Sequence, residues 1–360
     1  MRRALLIIVI LAAQFAVFEA GLRVYGGSEA SPAFRSLFTQ DPRIGSRPKA
    51  GAHARYTTVE FSTDIAINAQ GVRDDQPIGP KAPGERRIVV LGDSLVFSVQ
   101  VEVQQTFCKL LEADLQRAHP SERWRVINAG VQGYSPIDQW NFYRYVADQF
   151  EPDVVLVVAS VFNAPAVADK GPVLDGRMPA APEEARTMFV RRLVRSSMVL
   201  QIVRSRYDQL GERLKGAVPE PGLLTYLADP PARVAQGLEV TRRALGLIAD
   251  RAATRGARTA IVLMPARFQV NDTDYGYLAE ATRQAGGTLI RDAGTDRYRD
   301  ALAPLGVPMF DLLPALKAQP NRANLFFERN VHLTPRGHRV VADALLQFLE
   351  TSGLTAPPPR

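Results

Sequence analysis

Five short runs dominated by Val, Ile and Leu, each followed by a longer segment of helical periodicity, constrain this chain more than any other feature. The runs are 87–91, 124–129, 153–159, 259–264 and 307–311, and the helical segments are 105–118, 136–149, 233–255, 275–285 and 335–350. A nearly continuous apolar strand must be buried on both faces, and strands that alternate with amphipathic helices build a parallel sheet covered on each side. The expected fold is therefore α/β, an open three-layer α/β/α sandwich with a mostly parallel, flavodoxin-like sheet. Ligand chemistry in such a fold belongs at the carboxyl ends of the strands. The 360 residues and 46% apolar content allow one large domain of this kind with an insertion.

The organisation around that domain is read from composition. Two arginines, Arg2 and Arg3, precede an apolar run at 4–18 broken only by Gln14. The run is long for a signal peptide, and no good small-residue cleavage site follows it. Residues 1–25 thus read as an uncleaved signal anchor, with a cleaved signal peptide or a buried core helix as the alternatives. The positive-inside rule would leave the rest of the chain on the extracytoplasmic, periplasmic side of a bacterial inner membrane. Residues 26–84 read as an extended spacer with one or two short strands and a turn at Ala69-Gln70-Gly71. The main domain is expected at 85–350, and 351–360 as a flexible tail.

One stretch interrupts the rhythm, a helical insertion at about 170–232. Within it, residues 186–216 hold eight Arg or Lys against two acids, so they carry six of the chain's seven net positive charges. Apolar residues spaced by three or four make this a basic amphipathic helix or helix pair. A solvated face, a lid over the site, a patch on anionic lipid and a groove for an acidic polymer all fit. Interleaved aromatics that would stack bases are missing, which argues against nucleic acid. The lone cysteine, Cys108, excludes an intrachain disulfide and lies at an apolar helix position as a buried thiol. The four histidines are too scattered for a metal cluster. Neither a metal nor a cofactor is expected.

The chemistry is concentrated where the first strand, in "RRIVVLGDSLVF", runs into Gly92-Asp93-Ser94. A serine at a sharp strand-to-helix corner exposes its hydroxyl beside the amides of the next turn, which suits a nucleophile that generates an oxyanion. It needs a base. In "FFERNVHLTPRGHRVV" the pair Thr334-Pro335 starts a helix, so His332 lies in the loop before it and His338 within it. His332 is the expected base and His338 a structural residue. Asp93 is expected to fix the corner by local hydrogen bonds. Gly133 and Asn163 follow the second and third strands, where a turn glycine and a loop cap are alternative readings.

With "VINAGVQGYSPIDQ" and "PDVVLVVASVFNAP", these segments resemble the GDSL/SGNH hydrolase family, particularly membrane-anchored bacterial members related to alginate acetylation proteins. "INAQGVRD" is similar to a segment that often precedes the serine block. The resemblance covers roughly 66–165 and 258–350. It implies catalytic Ser94 and His332, an oxyanion hole from Ser94, Gly133 and Asn163, and acyl-enzyme chemistry on esters. It further implies an acylated small molecule or glycan as substrate, with short O-acetyl groups on an envelope glycan as the leading class. Transfer of the acyl group to a polysaccharide, or glycan or partner binding without turnover, are the other readings.

Three positions depart from the family pattern. The usual Asp two or three residues before the histidine is replaced by Asn330 and Arg329, leaving Asn330 and Glu328 as possible partners for the imidazole. The usual Asn-Asp is Asn163-Ala164, and the glycine four residues after the serine is Ser98. In serine proteases, exchanging the triad Asp for Asn lowers turnover by about ten thousandfold.

Overall fold

The computed structural model describes residues 32–174 and 221–356, together with residues 10, 13–17, 19, 21, 197, 199 and 200. Its centre is a five-stranded sheet of β5 (Glu85–Gly92), β6 (Arg123–Gly130), β7 (Val154–Ser160), β8 (Arg258–Met264) and β9 (Met309–Asp311). The spatial order is β6-β5-β7-β8-β9, and every neighbouring pair is parallel. All eight residues of β5 and all seven of β7 are buried, as their unbroken apolar runs require.

Side chains alternate between the two faces with the period of a strand. Val89, Leu91, Val155, Val157, Ile261 and Leu263 face one core, which is closed by α3 (Pro136–Tyr145), α4 (Ala232–Thr254) and α6 (Ala293–Leu302). Helix α5 (Asp272–Gln284) rests Tyr275, Leu278 and Ala279 against the same core. Ile88, Val90, Leu156, Val158 and Val262 face the other, closed by α2 (Phe107–Ala118) and α7 (Pro335–Thr351). This is the three-layer sandwich expected from the strand and helix rhythm. The periodicity did not reveal α6, whose Gly294 packs so closely that an added Cβ would lie 2.5 Å from the Tyr226 ring. The helix also buries Tyr298 and Leu302 in the core.

The stretch read as an extended spacer is packed onto the domain over its described residues. It forms two antiparallel pairs, β1 (Phe38–Asp41) with β2 (Gly45–Pro48) and β3 (His53–Thr57) with β4 (Ser62–Ala66). Phe34, Leu37, Tyr56, Ile65 and Ile67 make a small core with Phe97 and Val99, which directly follow the Gly-Asp-Ser corner. The expected turn is present: Gly71 has φ +79°, and Asn68 closes it by accepting from the amides of Gln70 and Val72. The tail expected to be flexible from 351 is held as far as Ala356, because Arg258 donates to the carbonyls of Gly353, Leu354 and Ala356.

Most of the expected signal anchor, and all but three residues of the basic stretch 186–216, lie outside the described residues. Among the described residues no helix is long and apolar enough to cross a membrane.

Candidate active site

The corner after β5 is a single helical turn, α1 (Ser94–Phe97), with Asp93 as its N-cap; Asp93 accepts from the Leu95 amide at 2.9 Å. The turn sits hard against two strand ends. An added Cβ at Gly92 would lie 2.2 Å from Val96 Cγ2, and one at Gly130 would lie 2.5 Å from Val96 Cβ and 2.7 Å from the Phe97 nitrogen. Glycine at both positions is what lets the serine corner fold back over the sheet.

A helix of one turn cannot satisfy its own carbonyls, and here side chains do so. Ser98 Oγ donates to Leu95 O at 2.7 Å, and Asn128 Nδ2 donates to Val96 O at 2.7 Å. The fully buried Arg73 guanidinium donates to Phe97 O at 2.9 Å, to Ser98 O at 2.5 Å and to Val101 O at 2.5 Å. Burial pulls Arg73 down to about 10, which leaves it charged at neutral pH. Ser98, where the family pattern has glycine, holds the left-handed conformation a glycine would take, with φ +56°. Its single hydroxyl proton, shared between Leu95 O and the more distant Val96 O, offsets part of a strain of roughly 1–2 kcal/mol.

The oxyanion candidates come from the strands on either side of β5. Gly133 follows β6 at an exposed turn with φ +74°, and a Cβ there would meet nothing, so its glycine is required by conformation alone. Asn163 follows β7 and donates Nδ2 to Asp93 Oδ2 at 3.1 Å; Ser160 Oγ donates to the same oxygen at 2.6 Å. Burial pushes the Asp93 carboxyl up, while the bonds from Ser160, Leu95 and Asn163 pull the other way. Asp93 therefore fixes the corner, as expected, and also orients the Asn163 amide, which was not. An amide has two N–H bonds; with one held by Asp93, the other remains able to serve a further acceptor.

His332 lies in the loop before α7, whose N-cap Thr334 accepts from the Gly337 amide at 3.2 Å. Asn330 Oδ1 accepts from the His332 amide at 3.1 Å and also contacts His332 Nδ1. The backbone donor requires that atom to be the oxygen, so Nδ1 carries the proton and Nε2 the lone pair. Nε2 is buried without a hydrogen-bond partner among the described residues, and no hydrogen bond joins it to the Ser94 hydroxyl. Burial pulls the imidazole down to about 4. Of the two candidate partners, Asn330 takes the role, while Glu328 is exposed. His338 is structural, buried against Phe107 and accepting its amide at Nδ1 (3.2 Å).

A cavity of about 410 Å³ gathers the three segments: Leu95 follows Ser94, Phe162 precedes Asn163, and Val331 precedes His332 along its wall. Leu223, Phe268 and Leu278 extend the apolar lining, with Arg267, Asp274, Glu328 and Arg329 as its charged part. Arg267, the residue that sequence reasoning missed, bonds to the carbonyls of the His332 loop. Among the described residues no group of three His, Cys, Asp or Glu side chains is arranged to hold a metal ion.

No curated protein matches the chain. Solved structures that resemble it include LAE5, an alpha/beta hydrolase enzyme from the metagenome of Lake Arreo, Spain. It is 15% identical, with 76% of this chain and 97% of that one covered and a TM-score of 0.42. The lipase/acylhydrolase from Enterococcus faecalis is 14% identical (76% and 99% covered, TM-score 0.41). A variant of Axe2, an acetyl xylan esterase from Geobacillus stearothermophilus, is also 14% identical (73% and 94% covered, TM-score 0.41). The family profile described as GDSL-like Lipase/Acylhydrolase matches residues 90–340, which span the serine corner, the Asn163 loop and the His332 loop. The chain belongs to the GDSL-like lipase/acylhydrolase family and is an ester-hydrolysing enzyme of the SGNH type.

Proposed function

We propose that the chain hydrolyses short acyl esters, O-acetyl groups on an envelope glycan above all, through a covalent Ser94 intermediate with His332 as the base. The observation that carries this reading is the cavity walled by the immediate neighbours of Ser94, Asn163 and His332. Ser94 Oγ attacks the ester carbonyl as Nε2 of His332 takes its proton. The oxyanion is received by the amides of Ser94 and Gly133 and the side chain of Asn163. The imidazolium then protonates the departing alcohol, and water repeats the sequence to release the acid. A volume of about 410 Å³ suits a small acyl group together with one sugar ring.

The apolar segment at 4–18 behind Arg2 and Arg3 supports an amino-terminal membrane anchor with the domain facing the periplasm. The positive charge of 186–216 would favour an anionic lipid surface or an acidic polymer as a partner.

The full chain in detergent is expected to release acetate from acetylated glycan and p-nitrophenol from C2 to C8 esters, and to be labelled by a fluorophosphonate. Ser94→Ala should lose both activities. Undiminished hydrolysis by that variant overturns the reading. Acetyl groups recovered on an added glycan acceptor instead of in water would mark transfer over hydrolysis by the same site.

A further inference from the structure

We propose that Arg267 is the positioning residue of the histidine, doing through the loop backbone what a carboxylate usually does by direct contact with the ring. This rests on the assignment of His332 as the base. Arg267 opens the turn that follows β8, and its guanidinium is divided between two partners. Nε and Nη2 donate to Asp274 at 2.5 and 2.9 Å. Nη1 donates to the carbonyls of Phe327 (2.8 Å), Glu328 (2.7 Å) and Asn330 (3.3 Å).

These three carbonyls belong to one tight loop, closed at its base by the Phe327 amide donating to His332 O at 3.0 Å. The loop's own side chains do not fill it: Glu328, Arg329 and Val331 are exposed. Arg267 fills it from outside, with the planar fork that bridges a carboxylate and several carbonyls at once. Within that loop Asn330 holds the protonated Nδ1 of His332.

A carboxylate partner orients an imidazole by charge as well as by contact. A neutral amide orients it only while the amide itself stays in place, and here the Asn330 backbone is tied to Arg267. Asp274 keeps the guanidinium from turning toward solvent or substrate. The chain Asp274–Arg267–Asn330–His332 thereby sets the tautomer that leaves Nε2 free to accept a proton. Displacements of about 1 Å at a catalytic group lower rates by about a hundredfold.

The test measures p-nitrophenyl acetate hydrolysis by the full chain and by Arg267→Gln, Arg267→Lys and Asn330→Asp, alone and combined, with Ser94→Ala as control. Arg267→Gln and Arg267→Lys should both lower kcat by about ten- to a hundredfold with KM within about twofold. Both should also raise the lower pH limit of kcat/KM, because a loosened loop admits water to the ring. In the Asn330→Asp background, where a carboxylate meets Nδ1 directly, adding Arg267→Gln should cost only a few-fold. A rise in KM at constant kcat would make Arg267 a substrate contact, and equal losses in both backgrounds would make it merely structural; either overturns the proposal. Where Arg267→Gln does not fold, Arg267→Lys, which keeps the charge without the fork, gives the same comparison. Activity surviving in Ser94→Ala would instead overturn the underlying assignment.

Discussion

Asn163 and Asp93, seventy residues apart, meet across the β5–β7 pair, with the Asn163 amide donating to a carboxylate that also caps the serine turn. One buried group thus sets the direction of both the turn that carries the proposed nucleophile and the side chain proposed as an oxyanion donor. Asp93→Asn keeps the volume but loses acceptor capacity. The variant should fold and lose about ten- to a hundredfold in kcat, since removing one oxyanion donor outright costs about a hundred- to a thousandfold. Turnover with p-nitrophenyl acetate, alongside circular dichroism, checks both halves.

His332 must be neutral to accept a proton, and burial holds it near 4. A base works above its pKa, so kcat/KM should persist through pH 5 and fall only near 4. An ordinary histidine would give a limb near 6.5. A pH–rate profile measured between pH 3 and 8 decides it.

Stability should follow the opposite linkage from a salt-bridged histidine. His332 and His338 are both lowered by burial, to about 4 and about 3. Below about pH 6.5 the unfolded chain therefore binds protons that the folded one refuses. Each site contributes stability that is complete above that pH and declines by up to about 1.4 kcal/mol per pH unit as acid is added, until its folded-state value is reached. Melting temperatures at pH 7, 5.5 and 4.5 should fall in that order.

The two glycines under α1 should respond differently to rescue. Gly92→Ala strikes chiefly Val96 Cγ2, so Val96→Ala should restore much of its lost stability. Gly130→Ala also strikes the Phe97 backbone nitrogen and should not be restored by the same change. Overpacking of this kind costs about 1–3 kcal/mol; urea unfolding of the four variants measures it.

Cys108 is fully buried and its thiol is pushed far up by desolvation. The native chain should resist iodoacetamide at pH 8 and react after unfolding, as intact-mass measurement would show.

Much of the fold is legible in the sequence because strands buried on both faces leave little choice of residue. The expected bounds of all five central strands lie within two residues of the observed ones, and Thr334-Pro335 announces α7 and so the loop position of His332. In the chain from 32 to 84 the alternation of 53–66 and the turn at Gly71 are legible, but its packing onto the domain is not, because its partners, Phe97 and Val99, lie beyond it in sequence. Helix α6 is hidden for a similar reason: its sequence is mostly polar, and the residues it buries, Gly294, Tyr298 and Leu302, include a glycine set against Tyr226, a partner distant in sequence. Arg267 cannot be found by pattern: it acts on backbone carbonyls some sixty residues away, and such acceptors carry no side-chain signature. The one available signal is its place just after a strand end, where the fold puts its chemistry.

The small core uniting Phe34, Leu37, Tyr56 and Ile65 with Phe97 has a practical consequence for anyone trimming this enzyme. A protein begun at the first strand of the large sheet would bare a phenylalanine one turn from Ser94 and remove Arg73, the clamp on that same turn. The amino-terminal part of the fold is therefore a foundation laid under the serine proposed to react, and a working catalytic fragment has to start ahead of it.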